Sequence, residues 1–114
     1  MSTRCNIKVV EGKDTLWFYR HSDGYPDGAL PLLNKFMKYL EEGKIRDNLS
    51  QACGWLILLG AQEYGQSIEK LETSDSDSFN WKVGAIEPTT EQHVDIEYLY
   101  TIDLEKKTLA TKEI

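Results

Sequence analysis

The alternation of Cys5, Ile7 and Val9 with Asn6 and Lys8, halted at Gly12-Lys13 and answered by Leu16-Trp17-Phe18-Tyr19, commits the start of this chain to a β-hairpin. Period-two patterning fits a ribbon with one covered face, and Gly12-Lys13 supplies a two-residue turn. With those two residues at the centre of the turn, cross-strand partners have numbers that sum to 25, so Val9 meets Leu16 and Ile7 meets Phe18. Both pairs are apolar. The same register sets Lys8 opposite Trp17, Asn6 opposite Tyr19 and Arg4 opposite His21 on the other face. A slip of one residue would turn every side chain over.

The period then lengthens. Leu30, Leu33, Met37 and Leu40 recur at helical spacing, with Phe36 widening the stripe and Pro31 read as a first-turn residue. Gly43 predicts the end of this helix. Asn48, followed three residues later by Gln51, has the pattern of a capping box that opens a second helix. Its inward face is Leu49, Ala52, Cys53, Leu56 and Leu59. Trp55, Ile57 and Leu58 make that helix apolar on several sides, which predicts deep burial, while Gly54 and Gly60 predict close backbone packing.

Thr73 to Ser78 is acidic and small, a loop by composition without the spacing of a calcium site. Alternation returns in Phe79, Trp81, Val83 and Ala85 and again in Val94, Ile96, Tyr98, Tyr100 and Ile102, before a last short strand near Thr108 to Thr111. The order ββααβββ predicts a single α+β domain over residues 1–114, an antiparallel sheet with two helices packed on one face.

Charge narrows the range of partners. With 19 acidic and 13 basic residues the formal charge is -6, which opposes attraction to a phosphate backbone and argues against general DNA or RNA binding. Cys5 and Cys53 show neither a CxxC spacing nor a nearby His, so reduced, buried thiols are expected rather than a zinc knuckle or redox motif. No charged segment followed by a long apolar core opens the sequence, so a cytoplasmic location is expected. The uncharged run from Asn48 to Gln62 is shorter than the roughly 20 residues of a membrane span, and no membrane association is expected. Neither a cofactor nor a metal is called for by any motif.

Chemistry concentrates in Tyr19-Arg20-His21-Ser22-Asp23-Gly24-Tyr25-Pro26-Asp27-Gly28, a cation, an imidazole, carboxylates and phenols between a strand and a helix. Arg4 and Arg20, two of the three arginines in the chain, fall at this hairpin and loop. Guanidinium forks match phosphate oxygens, an imidazole adds a hydrogen bond, and phenols stack on rings. The expected ligand-binding set is Arg4, Asn6, Tyr19, Arg20, His21, Asp23 and Tyr25. Gly24 and Pro26 read as a stiff turn, Gly24 through a positive φ.

A scaffold role competes with this reading, because Arg20 paired with Asp23 or Asp27 would simply pin the loop. An acid/base pair of His21 with Asp23 is the catalytic alternative, weakened by the lack of a nucleophile in a recognisable elbow. His93, Asp95 and Glu97 would share one face of a strand, a trio better read as a solvated surface than as metal ligands.

Ser2-Thr3-Arg4-Cys5-Asn6-Ile7 and the box from Tyr19 to Pro26 together resemble a family of small phage, prophage and bacterial proteins with an S-T-R-x-N-I start and a Y-R-H-x-D-G-Y-P box. The resemblance covers the chain from Ser2 to about Leu30, and Gly54-Trp55-Leu56 loosely; it carries over no catalytic residue. It implies a phage setting, in which compact acidic proteins act by binding and neutralising a target.

The leading expectation is a non-enzymatic binder of a small phosphate-bearing, nucleotide-type molecule, extending to an anti-defence protein that sequesters a nucleotide immune signal. The alternatives are a small hydrolase or phosphodiesterase using His21 and Asp23, and an acidic module that inhibits a host protein. An open sheet face with Trp17 would also give two copies a surface to share as a homodimer.

Overall fold

The computed structural model describes residues 3–73 and 86–114. Along the chain lie β1 (Cys5–Glu11), β2 (Asp14–Arg20), α1 (Pro26–Glu41), α2 (Leu49–Glu63), α3 (Ile68–Thr73), β3 (Glu87–Thr89), β4 (Tyr98–Asp103) and β5 (Thr108–Glu113). The strands form one sheet in the order β3-β2-β1-β4-β5. The fold is α+β, with a sheet that is mostly antiparallel.

The hairpin has the register that apolar pairing demands, with Val9 on Leu16, Ile7 on Phe18 and Asn6 on Tyr19. Gly12 takes a φ of 59° while Lys13 stays out of the left-handed region, the pattern of a type II′ turn. Cys5, Ile7, Val9 and Phe18 point to the helices, where they meet Tyr100 and Ile102 of β4 and the apolar stripes of α1 and α2 in one core.

One expectation about the sheet is corrected: β4 runs parallel to β1, Ile7 beside Tyr100 and Val9 beside Ile102. A parallel neighbour needs a long crossover, and the helices between β2 and β3 provide that return path. The alternating segment from Phe79 to Ala85 lies outside the described residues. The edge beside β2 is instead the short β3, with Trp17 against Thr89. The strand expected from Val94 begins only at Tyr98, and Val94 is fully exposed. Backbone and side-chain bonds from the hairpin hold residues 93–97 in a loop, because Asn6 accepts from the His93 N–H and the Arg4 carbonyl accepts from Glu97.

Helix α1 begins a turn earlier than Leu30. Pro26 occupies its first position, where a missing N–H costs nothing, and Pro31 therefore sits inside the helix. Its buried stripe is Ala29, Leu32, Leu33, Phe36, Met37 and Leu40. Both long helices close in Schellman motifs: Lys44 N–H to Tyr39 and Gly43 N–H to Leu40, then Gln66 N–H to Ala61 and Gly65 N–H to Gln62. Gly43 and Gly65 supply φ of 75° and 70° for these closures.

The capping box expected at Asn48 does not form. Asn48 makes no side-chain cap; the Leu49 N–H donates instead to Glu11 Oε1 at 3.0 Å, so a carboxylate from the end of β1 faces the N-terminus of α2. The expectation that α2 is largely buried is also corrected on one side, since Trp55 and Leu58 are close to half exposed. The two cysteines are free and buried, and burial pushes both thiols up to about 12.

Gly60 and Gly54 turn out to differ. A Cβ at Gly60 would lie 3.3 Å from Ile86, whereas one at Gly54 would meet nothing within 4 Å. Gly54→Ala is therefore expected to stabilise the protein by about 1 kcal/mol through helix propensity, read as a higher urea midpoint at unchanged slope.

Candidate functional site

The face of the sheet away from the helices gathers polar groups from three segments. Asn6 and Tyr19, neighbours across the hairpin, lie under the loop that carries His93. Asn6 is fully buried and satisfied: its Oδ1 accepts from the His93 N–H at 2.7 Å and its Nδ2 donates to the Phe18 carbonyl at 2.8 Å. It therefore fixes the loop, and neither end of its amide is left for a ligand. His93 stacks on Tyr19 with ring centres 4.1 Å apart and planes 14° from parallel, and its Nε2 lies 3.0 Å from the Thr89 hydroxyl.

Tyr19 turns its hydroxyl to His21 Nδ1 at 3.0 Å, and Arg4 Nε approaches the same nitrogen at 3.4 Å. Burial and the nearby Asp95 carboxylate push the Tyr19 phenol above its ordinary pKa, with Arg4 opposing, so the phenol keeps its proton and donates. Two donors aimed at Nδ1 assign the ring hydrogen to Nε2, and the exposed His21 has that N–H to offer outward. Arg4 also forms an ion pair with Asp95 at 3.5 Å, both side chains well exposed. Arg4, Tyr19, His21, His93 and Asp95 thus converge, although the hairpin and residues 93–95 are far apart in sequence.

Arg20 is not among them. It pairs with Cys5, so its side chain emerges on the helix-covered face, where it is only 2% exposed. Its Nη1 and Nη2 form a fork on the Glu63 carboxylate at 2.7 and 2.9 Å. Its Nε is shared between the carbonyls of Ser22 and Asp23, and Nη2 also reaches the Gly28 carbonyl. Burial alone would lower its pKa, but the hydrogen bonds and charge of Glu63 outweigh that and raise it. The assignment of Arg20 to a ligand is corrected: acidic and carbonyl partners occupy the guanidinium, which pins the β2–α1 loop to the end of α2.

Other members of the expected set also change role. One face of Tyr19 is already covered by His93, and at 7% exposure its ring is a floor rather than a stacking platform. His21 and Asp23 do not pair; Asp23 Oδ1 accepts instead from the Tyr25 hydroxyl at 3.3 Å. Tyr25 precedes the first turn of α1 with its ring 41% exposed. The positive φ expected at Gly24 belongs to Asp23, at 57°. Gly24 is needed because its N–H donates to the Thr3 carbonyl and its α-carbon passes close to Cys5 N. Residues 93–97 are irregular rather than pleated, so His93, Asp95 and Glu97 do not share a strand face.

Thr89, His93 and Asp95 are the site residues that the expected ligand-binding set left outside. Little in the sequence marks them, since Asn6 between Cys5 and Ile7 has the ordinary pattern of a solvated strand face and its burial follows only from the loop that crosses it.

Two cavities open elsewhere, along the outer surface of α1 and α2, and neither is lined by residues of the hairpin. Among the described residues no helix is long and apolar enough to cross a membrane. Neither protein-family models, nor curated proteins, nor solved structures gave a match to this chain.

Proposed function

We propose that this protein binds a small phosphate-bearing ligand of the nucleotide type without transforming it, through Arg4 and His21 on the open face of the sheet. The observation that carries this reading is the convergence of Arg4 and His21 on a braced floor of Tyr19 and His93. A guanidinium and an outward imidazole N–H are donors suited to phosphate oxygens. Asp95 holds Arg4 only as an exposed pair, a type worth about 0–1 kcal/mol, so a ligand phosphate exchanges for it at little cost. Asp95 and Glu87 nearby disfavour a highly charged polyphosphate and favour a mono- or diester. The exposed ring of Tyr25, on the loop tied to Thr3, serves the ring portion of the ligand. In a phage setting such a binder sequesters a nucleotide signal.

Thermal denaturation in the presence of mono-, di- and cyclic nucleotides tests this. A ligand at 100 times its dissociation constant adds about 2.7 kcal/mol of stability. Arg4→Ala should remove that increment while leaving the stability of the free protein nearly unchanged, since Arg4 is exposed. A shift that survives Arg4→Ala, or product accumulating during incubation, refutes the reading.

A further inference from the structure

We propose that the trough between α1 and α2, on the side of the helices away from the sheet, docks an acidic amphipathic helix of a partner protein. Two cavities of about 280 and 390 Å³ share Lys35, Leu59 and Gln62, so they are continuous along the helix pair. One wall is a ridge of α1 at four-residue spacing, Pro31, Lys35 and Tyr39; the other is Trp55, Leu58, Leu59 and Gln62 of α2. Parallel ridges of this kind leave a groove into which the ridge of a third helix fits.

The apolar content of the trough is unusual for a free surface. Trp55 is 47% and Leu58 46% exposed on a helix whose opposite side fills the core, and Trp is the residue type most enriched among binding hot spots. Half-open walls suit an elongated occupant better than a small molecule, which needs most of its surface enclosed.

Charge selects the kind of helix. The chain carries -6 overall, yet among the described residues the walls of the first cavity contain Lys35 and Lys44 and no carboxylate; Lys44 meets Glu42 at 3.4 Å only as an exposed pair at the rim, so Lys35 carries most of the positive character. Glu63, at the far end, has its carboxylate engaged by Arg20. Lys35 lines both cavities, so an occupant with apolar anchors at i, i+3, i+4 and i+7 and carboxylates beside them is complementary to this surface.

The test is selection from a display library of 16-residue amphipathic peptides, apolar at those four positions and random among Glu, Lys, Gln and Ser elsewhere, followed by anisotropy titration of the enriched peptides. Acidic peptides should be enriched, weaken with added salt, and bind at least tenfold less tightly to Lys35→Glu and to Trp55→Glu. Arg4→Ala should leave their binding unchanged, which separates this site from the nucleotide site. Lys35→Glu alters only an exposed side chain and keeps the test valid if Trp55→Glu fails to fold. Enrichment of basic or neutral peptides, absence of enrichment, or undiminished binding to Lys35→Glu overturns the proposal. So does a groove filled only by octanoate, or by a second copy that Trp55→Glu releases.

Discussion

Arg20→Ala should lower the free energy of unfolding by about 3–5 kcal/mol, the range for removing one partner of a buried, hydrogen-bonded ion pair. The guanidinium is 2% exposed and joins three backbone carbonyls to Glu63 across 43 residues of chain. Its loss leaves the Ser22, Asp23 and Gly28 carbonyls without the donor that now serves them. Glu63→Gln should also be costly, because it strands a buried cation. The two effects should be strongly non-additive: in an Arg20→Met/Glu63→Leu double variant the charge cost disappears with the charges, and only the lost carbonyl contacts remain. Urea denaturation of the single and double variants measures this. A cost for Arg20→Ala below about 1 kcal/mol, the scale of a surface pair, would show that the guanidinium is not the clamp described.

Gly28→Ala is expected to be comparably severe, at about 3 kcal/mol, toward the upper end of overpacking penalties. The added Cβ would overlap the Asp23 carbonyl oxygen and stand 2.9 Å from the Asp23 Cβ. Neither can retreat easily: Asp23 holds a φ of 57°, and its carbonyl accepts from Arg20. Gly24→Ala should behave similarly, since its Cβ would lie 2.9 Å from both Cys5 N and the Thr3 oxygen. The same substitution at Gly54 is expected to be favourable, so the glycine series separates steric closeness from helix propensity. Equilibrium denaturation of the variants reads both directions, and a Gly28→Ala protein as stable as the parent would contradict the loop geometry.

The hairpin was legible because its two signals agree: alternation fixes the faces and Gly12-Lys13 fixes the register, which together determine Asn6 opposite Tyr19 and Lys8 opposite Trp17. The helices were legible from their apolar stripes but not at their starts, where Pro26 and Pro31 compete for the first-turn position. The direction of β4 was hidden, since alternation is the same in parallel and antiparallel strands. Within the candidate site, local spacing suggested His21 with Asp23, yet the contacts that form are long-range: Arg20 with Glu63, Asn6 with His93, Arg4 with Asp95. The fate of Arg20 followed from its register. Paired with Cys5, it shares the face of Ile7 and Phe18 and must enter the core with a countercharge.

The most direct measurement for the binding site is a set of amide proton–nitrogen spectra of the protein titrated with inorganic phosphate and with adenosine monophosphate. Saturable shifts confined to Arg4, Tyr19, His21 and residues 93–95, larger for the nucleotide and absent in Arg4→Ala, are the predicted result. Shifts centred instead on the Lys35 and Trp55 trough, or a silent open face at millimolar nucleotide, would contradict it.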